Sequence, residues 1–146
     1  MNASLLWILL LAGACVGSFI NVVAWRLPRQ ESVVWPGSHC PHCGHSVQWH
    51  DNIPVMGWLA LRGRCRDCHQ PIASRYPLVE ALTGGLWVSA AWASGFSSNH
   101  LLTAPETTVI TLVGGVVLIS LLMPLVLIDI DHLWLPEPIC RAGVIT

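Results

Sequence analysis

Charge is what this sequence has least of. Only 10% of its 146 residues are Asp, Glu, Lys or Arg, and lysine is absent, so seven arginines carry all the permanent positive charge. An ordinary soluble domain has about a quarter of its residues charged, and this composition excludes that class. The net charge of −1 leaves no electrostatic footprint for nucleic acid. No glycine-rich nucleotide loop, internal repeat or low-complexity tract is evident. In excess are apolar residues, at 53% with eight Trp and a mean hydropathy of +0.60. These are the marks of a multi-span, all-α membrane protein.

Three apolar stretches are long enough to cross a hydrocarbon core of about 30 Å. The first runs from Leu5 to Trp25, and no basic residue precedes it. A secretory signal begins with positive charge, so the stretch is expected to stay as a membrane helix. The segment "LAGAC" around Cys15 offers a lipoprotein cleavage box as the alternative. Gly13, Gly17 and Ser18 form a small-residue face suited to close helix contact, and Asn21 suits an interhelical hydrogen bond. The second stretch, from Pro77 to Phe96, is the weakest, with Glu80, Thr83, Gly84 and Gly85 inside it. The third, from Thr107 to Ile128, is uncharged, and Pro124 is expected to kink its end.

Six of the seven arginines lie between Arg26 and Arg75. The positive-inside rule places that loop in the cytoplasm and the N-terminus outside. The segment 97–106, without Lys or Arg, is then external. The third span ends on the loop's side of the membrane, where "IDIDHLWLPE" supplies Asp129 and Asp131. Beyond it, the stretch through Cys140 and Arg141 reads as the opening of a fourth helix, which suggests a truncated protein. Three regions follow: helix 1 at 1–25, the loop at 26–76 and an incomplete membrane domain at 77–146.

Within the loop, "CPHCG" and "CRDCH" place Cys40 and Cys43, then Cys65 and Cys68, in a C-x2-C, 21-residue, C-x2-C pattern. Two such knuckles complete a tetrahedral four-thiolate zinc site, and the ion folds a loop with little apolar core of its own. Two disulfides or a redox-active pair are the alternatives. The first suits an oxidising compartment, and the second lacks its βαβ context. The nearby His39, His42, His45 and His69 are expected at the surface, and Cys15 and Cys140 to pack in or near helices.

Carboxylates at a membrane edge suit an aspartyl peptidase or an ion pathway. Asp129 and Asp131 stand about 200° apart around a helix and cannot be each other's dyad partner. Glu80 is a candidate second acid, with a capping role or an Arg75 pair as the plainer alternative. Glu137 lies in the loop after the pair, and Glu106 is on the wrong side.

In order along the chain, "GSFINVVAWRLP", the two knuckles, "DNIPVMGWLALRGRCRDC", "SRYPLVEALTG" and "IDIDHLWLPE" resemble the bacterial type IV prepilin peptidases. These are membrane aspartyl proteases that are also N-methyltransferases. The resemblance implies cleavage of the basic leader of type IV prepilins and type II secretion pseudopilins at the inner membrane. It also implies methylation of the new N-terminus with S-adenosylmethionine. The first catalytic aspartate maps to Asp129, with Asp131 its neighbour. The family's second, in a G-x-G-D motif, has no counterpart here; a partner subunit or second copy is one source for it. A protein that binds pilin precursors without cutting them is the alternative function.

Overall fold

The structure, a computed structural model, describes residues 3–96 and 105–132. Helix α1 spans Ala3–Arg26, the five-residue α2 Met56–Ala60, α3 Arg75–Ala93 and α4 Glu106–His132. Among the described residues there are no β-strands, only two isolated antiparallel bridges, His39 with Ser46 and Arg64 with Pro71. The loop residue Glu137 and the expected opening of a fourth helix, with Cys140, lie outside the described residues.

Local chemistry sets the boundaries. Helix α1 is mostly apolar sequence up to Arg26, and it is followed by Pro28, which cannot donate a backbone hydrogen bond. The chain tightens there into a 3-10 turn at Leu27–Arg29, closed by Gln30 in the left-handed region. Helix α3 accommodates Pro77 in its first turn, where its missing N–H has no intrahelical acceptor. At its other end Gly95, with φ +70°, lets the Phe96 N–H reach the Ala91 carbonyl. Helix α4 runs unbroken through Pro124.

Helices α1 and α4 are long and apolar enough to cross a membrane. Helix α3 is long but falls short in apolarity, because Glu80 and the Thr83-Gly84-Gly85 run dilute it. The expected three spans therefore appear as three long helices, of which two pass by length and composition.

The main helix contact is between α1 and α3, with α4 laid against both. Ile20 and Ala24 of α1, Val79 of α3 and Leu127 of α4 form the buried cluster where the three meet. The α1–α3 approach is backbone to backbone, on the small-residue face anticipated from Gly13 and Gly17. A Cβ on Gly17 would sit 2.8 Å from the Glu80 Cα, and one on Gly84 would sit 2.5 Å from the Leu10 carbonyl oxygen. Asn21, read as an interhelical donor, gives its Nδ2–H to the Tyr76 carbonyl at 3.2 Å.

Gly84→Val is expected to destabilise the detergent-solubilised protein by about 1–3 kcal/mol, because the clash is with backbone and cannot be relieved by a rotamer change. A Cβ on Gly114, by contrast, would meet nothing within 4 Å. Gly114→Ala should leave the thermal midpoint unchanged or higher.

Candidate metal centre and the acidic tip of α4

The loop between α1 and α3 builds its centre from two copies of one backbone device. In the first, the Cys40 N–H bonds the His45 carbonyl at 2.9 Å and the Gly44 N–H bonds the Cys40 carbonyl at 2.8 Å. In the second, the Cys65 N–H bonds the Gln70 carbonyl at 2.8 Å and the His69 N–H bonds the Cys65 carbonyl at 3.1 Å. Each turn needs a left-handed residue after its second cysteine, met by Gly44 at φ +70° and His69 at φ +56°. The two bridges flank the knuckles at matching positions, so a repeat invisible in the side-chain sequence is present in the backbone.

The knuckles bring the sulfurs of Cys40, Cys43, Cys65 and Cys68 within 4.8 Å of one another. All four are free thiols, so the disulfide alternative is not realised. The Cys40 and Cys68 sulfurs lie 3.7 Å apart. A tetrahedron with metal–sulfur bonds of about 2.3 Å has an edge of roughly 3.8 Å, so the donor set fits a zinc-sized dication. The electrostatics agree. Backbone hydrogen bonds from Cys43 and His42 bring the Cys40 thiol down to about 6. At Cys68, a Gln70 backbone hydrogen bond favours the thiolate, but desolvation and the three neighbouring sulfurs prevail and push the thiol up to about 12. Four thiolates cannot share so small a volume unless a cation neutralises them.

Around the knuckles, Asp51 holds Arg66 in a two-pronged pair, with Nε to Oδ2 at 2.7 Å and Nη2 to Oδ1 at 2.5 Å. The Asp51 carboxylate is 6% exposed, and its hydrogen bonds to Arg66 keep its pKa below the ordinary value. Stability from this pair is therefore complete above about pH 4, the unfolded carboxylate's range, and is lost as pH falls through the lower folded value. Of the four histidines nearest the knuckles, His45 faces Asp67 at 3.8 Å, and His39, His42 and His69 are exposed. That matches their expected surface role.

Polar contacts tie the loop to α3 and α3 to α4. The Val55 N–H donates to Glu80 Oε2 at 2.6 Å, and Glu80 is buried on α3. Arg75, the first residue of α3, donates from Nη1 to Asp131 Oδ1 on α4. The reading of Glu80 as a partner of Arg75 is thus corrected: Arg75 takes Asp131, which sits within its reach at the helix mouth, while Glu80 points the other way into the loop. Asp129 is exposed on α4, and among the described residues it enters no ion pair. Asp129 and Asp131 are not brought together, as their spacing requires. Signals at 25 and 56 residues' separation, such as Glu80–Val55 and Arg75–Asp131, have no trace in local sequence.

The purified protein is expected to hold one zinc per chain by elemental analysis. Cys65→Ser should lose it and His45→Ala should keep it. Acid should release the metal as protons compete for the thiolates, and neutral pH with zinc should restore it. Retention of full zinc content by Cys65→Ser would overturn this assignment.

The family model described as "Bacterial Peptidase A24 N-terminal domain" matches residues 11–94. A prepilin leader peptidase/N-methyltransferase of Myxococcus xanthus is 46% identical over 137 residues, covering 94% of this chain and 37% of that protein. One of the same name from Klebsiella pneumoniae is 41% identical, covering 94% of this chain and 59% of its own. A type 4 prepilin-like proteins leader peptide-processing enzyme of Escherichia coli is 37% identical, with 86% and 49% covered. The chain thus spans about half or less of the length of most of these relatives. No solved structure matches it. The knuckle loop, the α1–α3 pair and the acid-tipped α4 all fall within these alignments or beside them, and the chain belongs to the prepilin leader peptidase/N-methyltransferase family.

Proposed function

We propose that this chain supplies the leader-receiving loop and one catalytic carboxylate of a membrane aspartyl peptidase acting on type IV prepilins and pseudopilins. The observation that carries the reading is the Arg75–Asp131 pair. It ties the end of the four-cysteine loop to the helix tip where Asp129 stands. The arginine excess of the loop favours a cytoplasmic position by the positive-inside rule, with α1, α3 and α4 spanning the inner membrane. The regions 1–25, 26–76 and 77–146 then correspond to the first span, the metal-bearing loop and the beginning of the peptidase membrane domain.

In this reading Asp129 is one of two carboxylates sharing a proton. One draws a proton from water as it attacks the scissile carbonyl, and the other donates to the carbonyl oxygen. The C–N bond then breaks, releasing the leader and the new N-terminal amine. Asp131 is a positioning residue: its pair with Arg75 fixes the turn that carries Asp129. The second carboxylate comes from another segment, a second copy or a partner. Cys40, Cys43, Cys65 and Cys68 would hold zinc, and with four thiolates around it the ion would supply fold rather than chemistry. The relatives' names include an N-methyltransferase activity, which fits the use of S-adenosylmethionine that the sequence resemblance implies. A cleft of about 490 Å³ between the knuckles and the adjoining ends of α1 and α3 has the volume for a small molecule.

A vesicle assay with a prepilin substrate tests the proposal. Asp129→Asn should lower cleavage by about 10²-fold or more. Asp131→Asn should cost less, and the exchange Arg75→Asp with Asp131→Arg should recover part of the loss. Wild-type cleavage by Asp129→Asn would sink the assignment. Stable binding of uncut prepilin by the unmodified protein would point to a zinc-stapled holding protein instead.

A further inference from the structure

We propose that the cleft between the cysteine knuckles and the adjoining ends of α1 and α3 receives a primary ammonium, and that its occupant is the α-ammonium of the newly cut peptide. This rests on the reading of the chain as part of a leader peptidase, which leaves such an amine on the loop's side of the membrane. Two buried side chains carry the inference, Asn21 on α1 and Glu80 on α3. Among the described residues, each has one acceptor oxygen that no protein group satisfies.

The close approach of α1 and α3 makes the site. Gly17 lets the Glu80 backbone lie against α1. One turn further along α1, Asn21 meets Tyr76, one turn back along α3. Asn21 and Glu80 thus stand at successive levels of one antiparallel seam, and both line the cleft. They are more than nine-tenths buried, at 6% and 8% exposed. Each is fixed by one bond. Asn21 Nδ2 donates to the Tyr76 carbonyl at 3.2 Å, which orients the amide and leaves Oδ1 over. Glu80 Oε2 accepts from the Val55 N–H at 2.6 Å and leaves Oε1 over. Trp87 Nε1 is the one sealed side-chain polar atom without a partner among the described residues. Neither Oδ1 nor Oε1 is therefore sealed off, and a group entering the cleft can reach them.

The chemistry of the walls selects the ligand. The arginines and the indole that line the cleft are already engaged. Arg26 Nη1 and Nη2 donate to the Ser32 and Gly37 carbonyls at 2.9 and 3.2 Å. Trp58 Nε1 donates to the Ile72 carbonyl at 3.0 Å, and Arg66 is held by Asp51. The acids Glu31, Asp51, Asp67 and Glu80 outnumber the arginines Arg26 and Arg66 by four to two, which favours a cation. A primary ammonium brings three N–H donors and one positive charge, and so suits two acceptors, one of them a carboxylate. A sulfonium centre brings charge without an N–H and would leave both oxygens unsatisfied. At about 490 Å³ the cleft has room for the residue behind the amine.

The test is calorimetric titration of the full chain, in phosphatidylcholine nanodiscs with zinc present. The probes are a peptide of mature pilin N-terminal sequence, its N-acetylated twin, an N-acetylated peptide that keeps the basic leader, and S-adenosylmethionine. The free amine should bind about tenfold or more tightly than its acetylated twin. Glu80→Gln keeps an oxygen for the Val55 N–H and removes the charge. With zinc content unchanged, it should abolish most of that preference and leave the leader peptide and S-adenosylmethionine bound as before. Equal binding of the twins by the unmodified protein, a measurement that needs no variant to fold, would overturn the proposal. A preference that survives Glu80→Gln would do the same. A loss on the leader peptide would make a leader side chain the occupant, and a loss on S-adenosylmethionine would make it the donor's amino group; either overturns the proposal. Unmodified protein that binds none of the peptides would instead defeat the reading of this chain as the leader-receiving part of a peptidase.

Discussion

The loop between α1 and α3 has almost nothing to fold around except four sulfur atoms. Between residues 27 and 74 the buried positions are Gly57, Gly63 and Cys65. Two are glycines with no side chain to bury, and the third is a member of the cluster. Its regular structure amounts to one short helix, one 3-10 turn and two isolated bridges. Hydrophobic burial on that scale cannot offset about 1–2 kcal/mol of backbone entropy per residue. A dication bound by the four thiolates would supply the missing free energy, because ligand binding and folding would then be one event. Gly57 shows how tightly the result is packed: a Cβ there would lie 2.0 Å from the Asp51 carbonyl oxygen, so the chain closes backbone on backbone beside the Asp51–Arg66 pair.

Stapled in this way, the loop would form a rigid element tied to the helices by a few polar contacts. The tie at Glu80 is the more demanding. Val55 has φ +62°, a conformation that costs a β-branched residue about 1–3 kcal/mol. Its N–H is thereby turned toward a buried carboxylate that would otherwise lack a partner on the loop side. Glu80 reaches that point because Gly17 allows α3 to lie against α1 at the same level. A small residue on one helix, an acid on the next and a strained loop residue thus form a single chain of dependence, and the Arg75–Asp131 pair extends it to α4.

Much of this arrangement is legible in the sequence, and the limits have physical reasons. The helix at Ala3–Arg26 matches the first apolar run within two residues, and Glu106–His132 extends the third by one residue before it and four after. The cysteine spacing anticipates the cluster because two-residue knuckles present sulfur to one point whatever lies between them. Gly13, Gly17 and Asn21 are readable because small and amide side chains in an apolar helix have few other uses. The repeat of the two knuckles is hidden because it lives in the backbone, where Gly44 and His69 take the same left-handed turn with unlike side chains. The partner of Arg75 is misread from sequence because Glu80, five residues on, is the near acid along the chain. Asp131, 56 residues away, is the near acid in space.

The same pair constrains where any second carboxylate can stand. Leu127 is buried against α1 and α3, and Asp131, one turn on, continues that face to meet Arg75. Asp129 is rotated about 200° from Asp131 and so turns away from α3. Glu80 is therefore excluded as its proton-sharing partner twice over, by direction and by its engagement with the Val55 N–H. A carboxylate that shares a proton with Asp129 must approach the face of α4 that α1 and α3 leave uncovered, where Leu125, Val126 and Ile130 are also exposed. That uncovered face would therefore serve a water-activating pair only when another helix closes over it.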